Sequence, residues 1–429
     1  MEQNPSPHPK ETIGIGRLAR YLERHWDFRD HLARSHDSRQ DPEIPTAAVF
    51  LSIFAMHALR LGSFNELEAQ LRMPGRWEPW VGPRAPSADA LGYSLDRFDL
   101  KGLRDMLAEV GRGIKRKKVF RRLYPDSYWV GAIDGVETVK SRKRHCADCC
   151  ARDIQVGGET VTEYYHRDVV LQMVGVVPAL ILDAEPVLKG ETETAAALKL
   201  LRRVKAAMPR FIDVLTFDAF YLQAPFVREV LGMGYGVVIV LKQEERDLYK
   251  DAEGLFQMTM PEEQAIRVQG LDGTVKVWDI HDVTSWSQLG RPVRVVRELK
   301  KHPKRERIAG KWVVREVVQD WRSVVVFPDA QQPPADTVRL WPHARWDEEC
   351  RGFGELTKYW HLNHSYRHHP IARLACLLIL FLAFILTTIF FTRNLKPAAR
   401  EGKSRLHLSR LLNDDLVRGG FQSFWAQPP

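Results

Sequence analysis

Cysteine is scarce in this chain of 429 residues, which holds five: Cys146, Cys149, Cys150, Cys350 and Cys376. An odd, sparse set argues against a disulfide framework and points to a reducing compartment. An apolar leader is lacking too. The N-terminal MEQNPSPHPKE is polar, so no secretion signal is expected. No internal repeat is found. Acidic excess is missing: 63 Lys and Arg against 54 Asp and Glu give a formal net charge of +9. That balance favours a polyanion as partner. Long uncharged runs are absent except for one, the 18 residues Leu374 to Phe391. Its length suits a membrane span. Its flanks, Arg373 and Arg393, give no positive-inside asymmetry, and an all-round apolar helix also suits a large interior. A buried core helix is expected, with no membrane partner; a membrane-anchored protein is the competing reading.

What is present is ordinary for a globular protein, at 45% hydrophobic and 27% charged, with room for two or three domains. Residues 1–123 read as a helical DNA-binding domain. TAAVFLSIFAMHALRL predicts an apolar helix ending near Gly62. Ser63 and Glu66 form a capping box, and a further helix starts after Pro86. A helix over Leu100 to Lys118 ends in the basic run Lys115, Arg116, Lys117 and Lys118, followed by Arg121 and Arg122. Such a run suits phosphate, and equally a solvated helix end.

From 124 to 242 strands and helices alternate. Strands are expected at Tyr128 to Ile133, Glu163 to Val177, Ala179 to Asp183, Val214 to Phe217 and Gly236 to Leu241. Helices are expected at Glu191 to Met208 and Gln223 to Met233. Three strands, then helix, strand, helix, strand, describe a mixed sheet covered by helices. Residues 243–336 read as a β-rich insertion, with short alternating runs such as TVKVWDIH and KWVVREVV. Helical character returns over 337–396, and 397–429 is a basic tail.

Two acids share one placement. Asp134 follows the apolar run of WVGAIDG, and Asp218 follows that of VLTFDAFY. If their strands are neighbours, the carboxylates meet, and hard oxygen ligands of this kind suit Mg²⁺ or Mn²⁺. A third carboxylate is sought on the later helix, where Glu349 is preferred to its neighbour Glu348. Glu137, Asp183, Glu185, Glu191 and Glu193 read as surface, turn or helix-start residues. Tyr221 reads either as a DNA contact or as packing. His145, Cys146, Cys149 and Cys150, with His166 nearby in sequence, resemble half of a zinc site. With one C-x2-C and no second pair, they are taken as a loop of reduced cysteines rather than zinc at Cys146 and Cys149. His361, His364, His368 and His369 read as helix-terminating residues facing phosphate or solvent.

The stretches AIDGVET, LTFDAFY and RWDEECRGFGELTKYWHLNH, in this order and with a β-rich insertion between the second Asp and the Glu, resemble bacterial insertion-sequence transposases. The likeness is to the DDE class, insertion-sequence-four-like group. It covers roughly Tyr128 to Phe391. It implies an α/β fold with an RNase H-like mixed-sheet catalytic core, a β-rich insertion and an N-terminal helical domain. It also implies divalent-metal-dependent cutting and joining of transposon-end DNA. Carried over by position, Asp134, Asp218 and Glu349 are the catalytic and metal-binding triad. Arg345 matches the family's Arg. The family's Tyr and Lys positions hold Pro342 and Leu356, with Lys358 two residues further on as a substitute. A base-trapping aromatic in the insertion is sought among Trp278, Trp286 and Trp312. The implied partners are transposon-end and target DNA, with a homodimer in the synaptic complex. The implied location is the bacterial cytoplasm, on the nucleoid. A catalytically inactive DNA-binding derivative of a transposase is the alternative.

Overall fold

The computed structural model describes residues 13–124, 128–268, 270–329, 332–348 and 352–419, excepting the side chains of 347 and 348. Glu349 and Cys350 lie outside the described residues. The protein is mixed α/β around one mixed parallel and antiparallel sheet.

Among the described residues, six helices of seven residues or more come first: α1 (Ile15–Trp26), α2 (Phe28–Arg34), α3 (Thr46–Leu59), α4 (Phe64–Leu71), α5 (Ala88–Leu95) and α6 (Leu100–Arg116). Short-range chemistry sets their starts. The Ser63 hydroxyl accepts from the Glu66 N–H at 3.1 Å, while the Glu66 carboxylate accepts from the Gly62 N–H at 2.7 Å. The reciprocal bond therefore falls one residue earlier than in a standard capping box. Ser87 caps α5 and Asp99 caps α6 in the same manner. α3 is apolar on every side and buried from Ala48 to Leu59, so it needs cover all round.

Ten strands form the main sheet: β1 (Val130–Ser141), β2 (Cys150–Val156), β3 (Glu159–Val174), β4 (Leu180–Pro186), β5 (Val214–Phe217), β6 (Gly236–Val240), β7 (Glu262–Val268), β8 (Leu271–Val283), β9 (Val293–Ile308) and β10 (Lys311–Val326). The first five neighbours run β4–β3–β1–β5–β6, with β5 and β6 parallel to β1 and β3 antiparallel. β5 and β6 are buried along their whole length, as continuous Val/Ile/Leu runs in a parallel sheet should be. β10 then pairs antiparallel with β6, and β9, β8 and β7 follow outward. The insertion thus extends the central sheet, and it opens with a helix, α9 (Asp247–Met258). Helices α7 (Glu193–Ala207) and α8 (Ala224–Gly232) are the crossovers flanking β5. α10 (Leu340–Glu348), α11 (Gly354–Tyr359), α12 (Pro370–Ile389) and α13 (Arg405–Arg418) close the chain.

The first strand does not stop at Ile133 as expected: β1 continues to Ser141, because β3 keeps pairing with it (Asp134 opposite Val170, Gly135 opposite Val169). A strand that was not expected, β2, lies along the first half of β3.

α12 carries the long apolar run, and it is the one described helix long and apolar enough to cross a membrane. It is enclosed in protein along its length and packs on α3, α5, α6 and β4. The helices before Tyr124 and the sheet therefore share one continuous core through α12. Arg104 of α6 adds ion pairs to Asp183 at 3.3 Å and Glu185 at 3.2 Å, both on β4. A chain reduced to residues 128–429 is expected to lose cooperative unfolding, since α12 would present its α3-facing side to water. A sharp melting transition in that fragment, seen by calorimetry, would show that the helices are dispensable.

Candidate active site

The parallel pairing of β1 and β5 sets Val130 beside Val214, Gly131 beside Leu215 and Ala132 beside Thr216. The offset is 84 residues (214 − 130), and 218 − 134 is also 84. Asp134 and Asp218 thus continue the register two residues past the last pair. Adjacent strands lie about 4.8 Å apart, which puts the two carboxylates within reach of one ion. The place is the carboxyl end of the parallel strands, between β1 and β5. There the sheet changes from the β4–β3–β1 meander to the β5–β6 crossovers, and open α/β sheets bind ligands at such points.

Local hydrogen bonds hold both acids. Asp134 Oδ1 accepts from the Gly135 N–H at 2.9 Å. Asp218 Oδ1 accepts from the Phe220 N–H at 2.9 Å and caps the short 3-10 turn Ala219–Tyr221. Arg345 is buried on α10 with Nη1 3.5 Å from Asp134 Oδ2, so α10 lies over the pair. Glu349 comes four residues after Arg345 and is outside the described residues. Glu348 ends α10.

Sequence reasoning set Glu193 aside as a helix-start residue, and the structure brings it to this place. It is the first residue of α7, behind the Thr192 cap. Its Oε1 accepts from the Tyr221 hydroxyl at 2.8 Å and its Oε2 from Arg167 Nη1 at 2.9 Å. A Cβ at Gly135 would stand 2.7 Å from Glu193 Oε2, so the glycine after Asp134 makes room for this carboxylate. A signal was available in ETETAAAL, where two acids precede an apolar helix; its bland explanation is a favourable dipole interaction.

Of the two readings of Tyr221, a DNA contact or packing, its burial fits packing. It is 1% exposed and packs against Phe217 and Phe226, while its neighbour Phe220 is 49% exposed. Burial first, and then the Glu193 carboxylate, push its hydroxyl well above the usual tyrosine range. Asp134 and Asp218 add smaller effects in the same direction. Behind them Arg167 also donates to Glu137 at 3.0 Å. Burial raises the Glu137 carboxyl, but hydrogen bonds from Arg152, Lys140 and Arg167 outweigh it and hold the group at about 2.

The other predicted residues lie apart from this cluster. Lys115 donates to the Arg210 carbonyl at 2.8 Å and Lys117 to the His25 carbonyl, so both tie α6 to neighbouring segments. Arg116 and Lys118 are exposed. Lys358 is exposed on α11, whereas Leu356 is buried. Of the insertion tryptophans, Trp278 and Trp286 are buried, with the Trp278 indole donating to the Thr259 carbonyl at 3.1 Å. Trp312 is 72% exposed, beside the turn of the β9–β10 ribbon. Past the C-terminal end of β1, Cys146, Cys149, His166 and His368 form a separate cluster with metal-ligating atoms.

Asp134 and Asp218 offer carboxylate oxygens, the ligand type that suits a hard divalent cation. No protein-family model matches the chain and no curated protein matches it.

Proposed function

We propose that the protein is a DNA transposase that cuts and joins transposon ends by divalent-metal-dependent phosphoryl transfer. One observation carries the reading: Asp134 and Asp218 continue one register on adjacent parallel strands, under a helix whose Arg345 faces Asp134. The order β4–β3–β1–β5–β6, with β3 alone reversed, is the order expected of an RNase H-like core, and supports it. Asp134 and Asp218 would hold Mg²⁺ or Mn²⁺, with Glu349 as the third ligand that the transposase resemblance implies. A bound pair of such ions neutralises charge on the attacking and leaving oxygens of the phosphate. The chain's own groups orient these carboxylates, through the Gly135 and Phe220 amides and Arg345.

The β9–β10 ribbon supplies a second support. Its outer part exposes Lys301, Lys304, Arg305, Arg307, Lys311 and Arg315, and Trp312 sits next to its turn. Basic side chains track a phosphate backbone and an exposed aromatic stacks on a base. Of the candidates Trp278, Trp286 and Trp312, Trp312 is the one whose ring is exposed for a base to reach.

The test uses the full chain, Mg²⁺ and a DNA fragment carrying the inverted repeats that flank the coding sequence. The expected result is a nick at the repeat boundary that EDTA abolishes. Trp312→Ala should weaken end binding by about 1–3 kcal/mol, the worth of one stacked base. A DNA-binding protein without cleavage is the second reading. It draws on Pro342 and Leu356, which stand where the resemblance implies Tyr and Lys. End binding with no nick in Mg²⁺ or Mn²⁺ would favour it.

A further inference from the structure

Cys146 and Cys149 stand in the loop between β1 and β2, His166 on β3, and His368 just before α12. Cys146 Sγ and Cys149 Sγ are 3.6 Å apart, and each is 3.3 Å from His166 Nε2. One ring nitrogen of His368 completes a group whose four ligand atoms all lie within 4.8 Å of one another. With Zn–S near 2.3 Å and Zn–N near 2.0–2.1 Å, a tetrahedral site has S···S of about 3.8 Å and S···N of about 3.5 Å. The observed spacings are those of ligands around a shared centre.

We propose that Cys146, Cys149, His166 and His368 form a closed structural zinc site, independent of the carboxylate cluster. Four protein ligands leave no open position, which is the mark of a structural rather than a catalytic zinc. Two thiolates exclude Mg²⁺ and Ca²⁺, and tetrahedral S₂N₂ selects zinc. A two-iron cluster with the same residues would put the cysteines on one iron and the histidines on the other. His166 Nε2 is equally close to both sulfurs, which suits one metal and not two. The single C-x2-C lacks a partner pair in the sequence because the other two ligands are histidines on distant elements, 202 residues apart (368 − 166).

The surroundings give the site its task. His166 and Asp168 lie two apart on β3 and face the same side, toward the start of α12. Asp168 pairs there with Arg373, and His166 lies near His368, ring centroids 6.3 Å apart. His368 Nδ1 is buried with no hydrogen-bond partner among the described residues. A metal that tied the β1–β2 loop and β3 to the lead-in of α12 would fix the one connection between the α10–α11 segment and the core helix. Zinc thereby holds the lead-in of α12 against β3, the neighbour of the strand that carries Asp134.

The experiment measures metal in the full-length chain, purified under reducing conditions and dialysed against buffer. About one zinc per chain is expected, as a four-ligand site requires. It should be lost in Cys149→Ser and His368→Asn, and retained in Cys150→Ser. His368→Cys should also retain it, because Cys₃His is an equally good zinc set. A second measurement does not depend on variants folding: Co²⁺ added to zinc-stripped wild-type protein should show thiolate-to-cobalt charge transfer and tetrahedral ligand-field absorption. Metal-free wild-type protein whose cobalt form lacks those bands would overturn the proposal. So would zinc that survives both Cys149→Ser and His368→Asn, or a Cys146–Cys149 disulfide in protein kept reduced.

Discussion

Replacing Asp134 or Asp218 by Asn is expected to remove Mg²⁺-dependent nicking while leaving binding to transposon ends intact. Asp134, within β1, and Asp218, just past β5, share one register, so on the proposed reading each loss takes a ligand from the same cation. Metal stabilisation of a phosphoryl transition state is worth several kcal/mol, which is a loss of about 10³-fold in rate. Binding rests on basic groups elsewhere, and removing a negative charge near phosphate does not weaken it. Asn keeps the acceptor oxygen that the Gly135 or Phe220 amide uses, so the backbone around the site stays in place. On α10, Glu349→Ala should be inactive and Glu348→Ala active. The reverse outcome would mean that the register on that helix is off by one. Glu193→Gln adds an arm that only the structure suggests. Lost cleavage would make Glu193 a further ligand. Retained cleavage would leave it as the group that positions Tyr221 and Arg167. Nicking at the wild-type rate by both Asp variants would end the transposase reading.

How far the sequence shows this site depends on how local each signal is. β5 and β6 are legible almost to the residue, because a fully buried parallel strand is a bare apolar run between polar ends. β1 is legible only to Ile133. Asp134-Gly135 has turn chemistry, and what keeps it extended is pairing to β3, some 35 residues later in the chain. The β9–β10 ribbon is read as short pieces because Pro303 resembles a break, yet Pro303 lies within β9 opposite Glu316. α3 and α12 each announce themselves as apolar on all sides. That such helices cover one another follows from their composition only once both are known to belong to one body. Glu193 and His368 are illegible for the same reason. Each is an ordinary residue at the start of or just before a helix, and only tertiary contact gives it partners.

Asp168→Ala should destabilise the protein by about 3–5 kcal/mol, the cost of leaving a buried charge without its partner. Asp168 on β3 and Arg373 on α12 are both buried and ion-paired, and the Thr138 hydroxyl donates to Asp168 Oδ2 at 2.8 Å. Arg373 also donates to the Thr138 hydroxyl, at 3.3 Å. With the carboxylate gone, the guanidinium keeps a single described side-chain acceptor in a helix that is otherwise apolar there. Thr138→Val removes a hydrogen bond to the Asp168 carboxylate and one from the Arg373 guanidinium, and should cost about 1.5–3 kcal/mol, the worth of a hydrogen bond to a charged group. The double variant Asp168→Leu with Arg373→Met removes both charges and should recover most of the loss, since a buried pair is commonly replaceable by apolar groups of like size. Urea unfolding separates the cases by the shift in midpoint at unchanged slope. An unshifted midpoint for Asp168→Ala would mean that Arg373 reaches water. α12 would then not be seated on β3 as the structure has it, and the lead-in that carries His368 would lose its anchor with it.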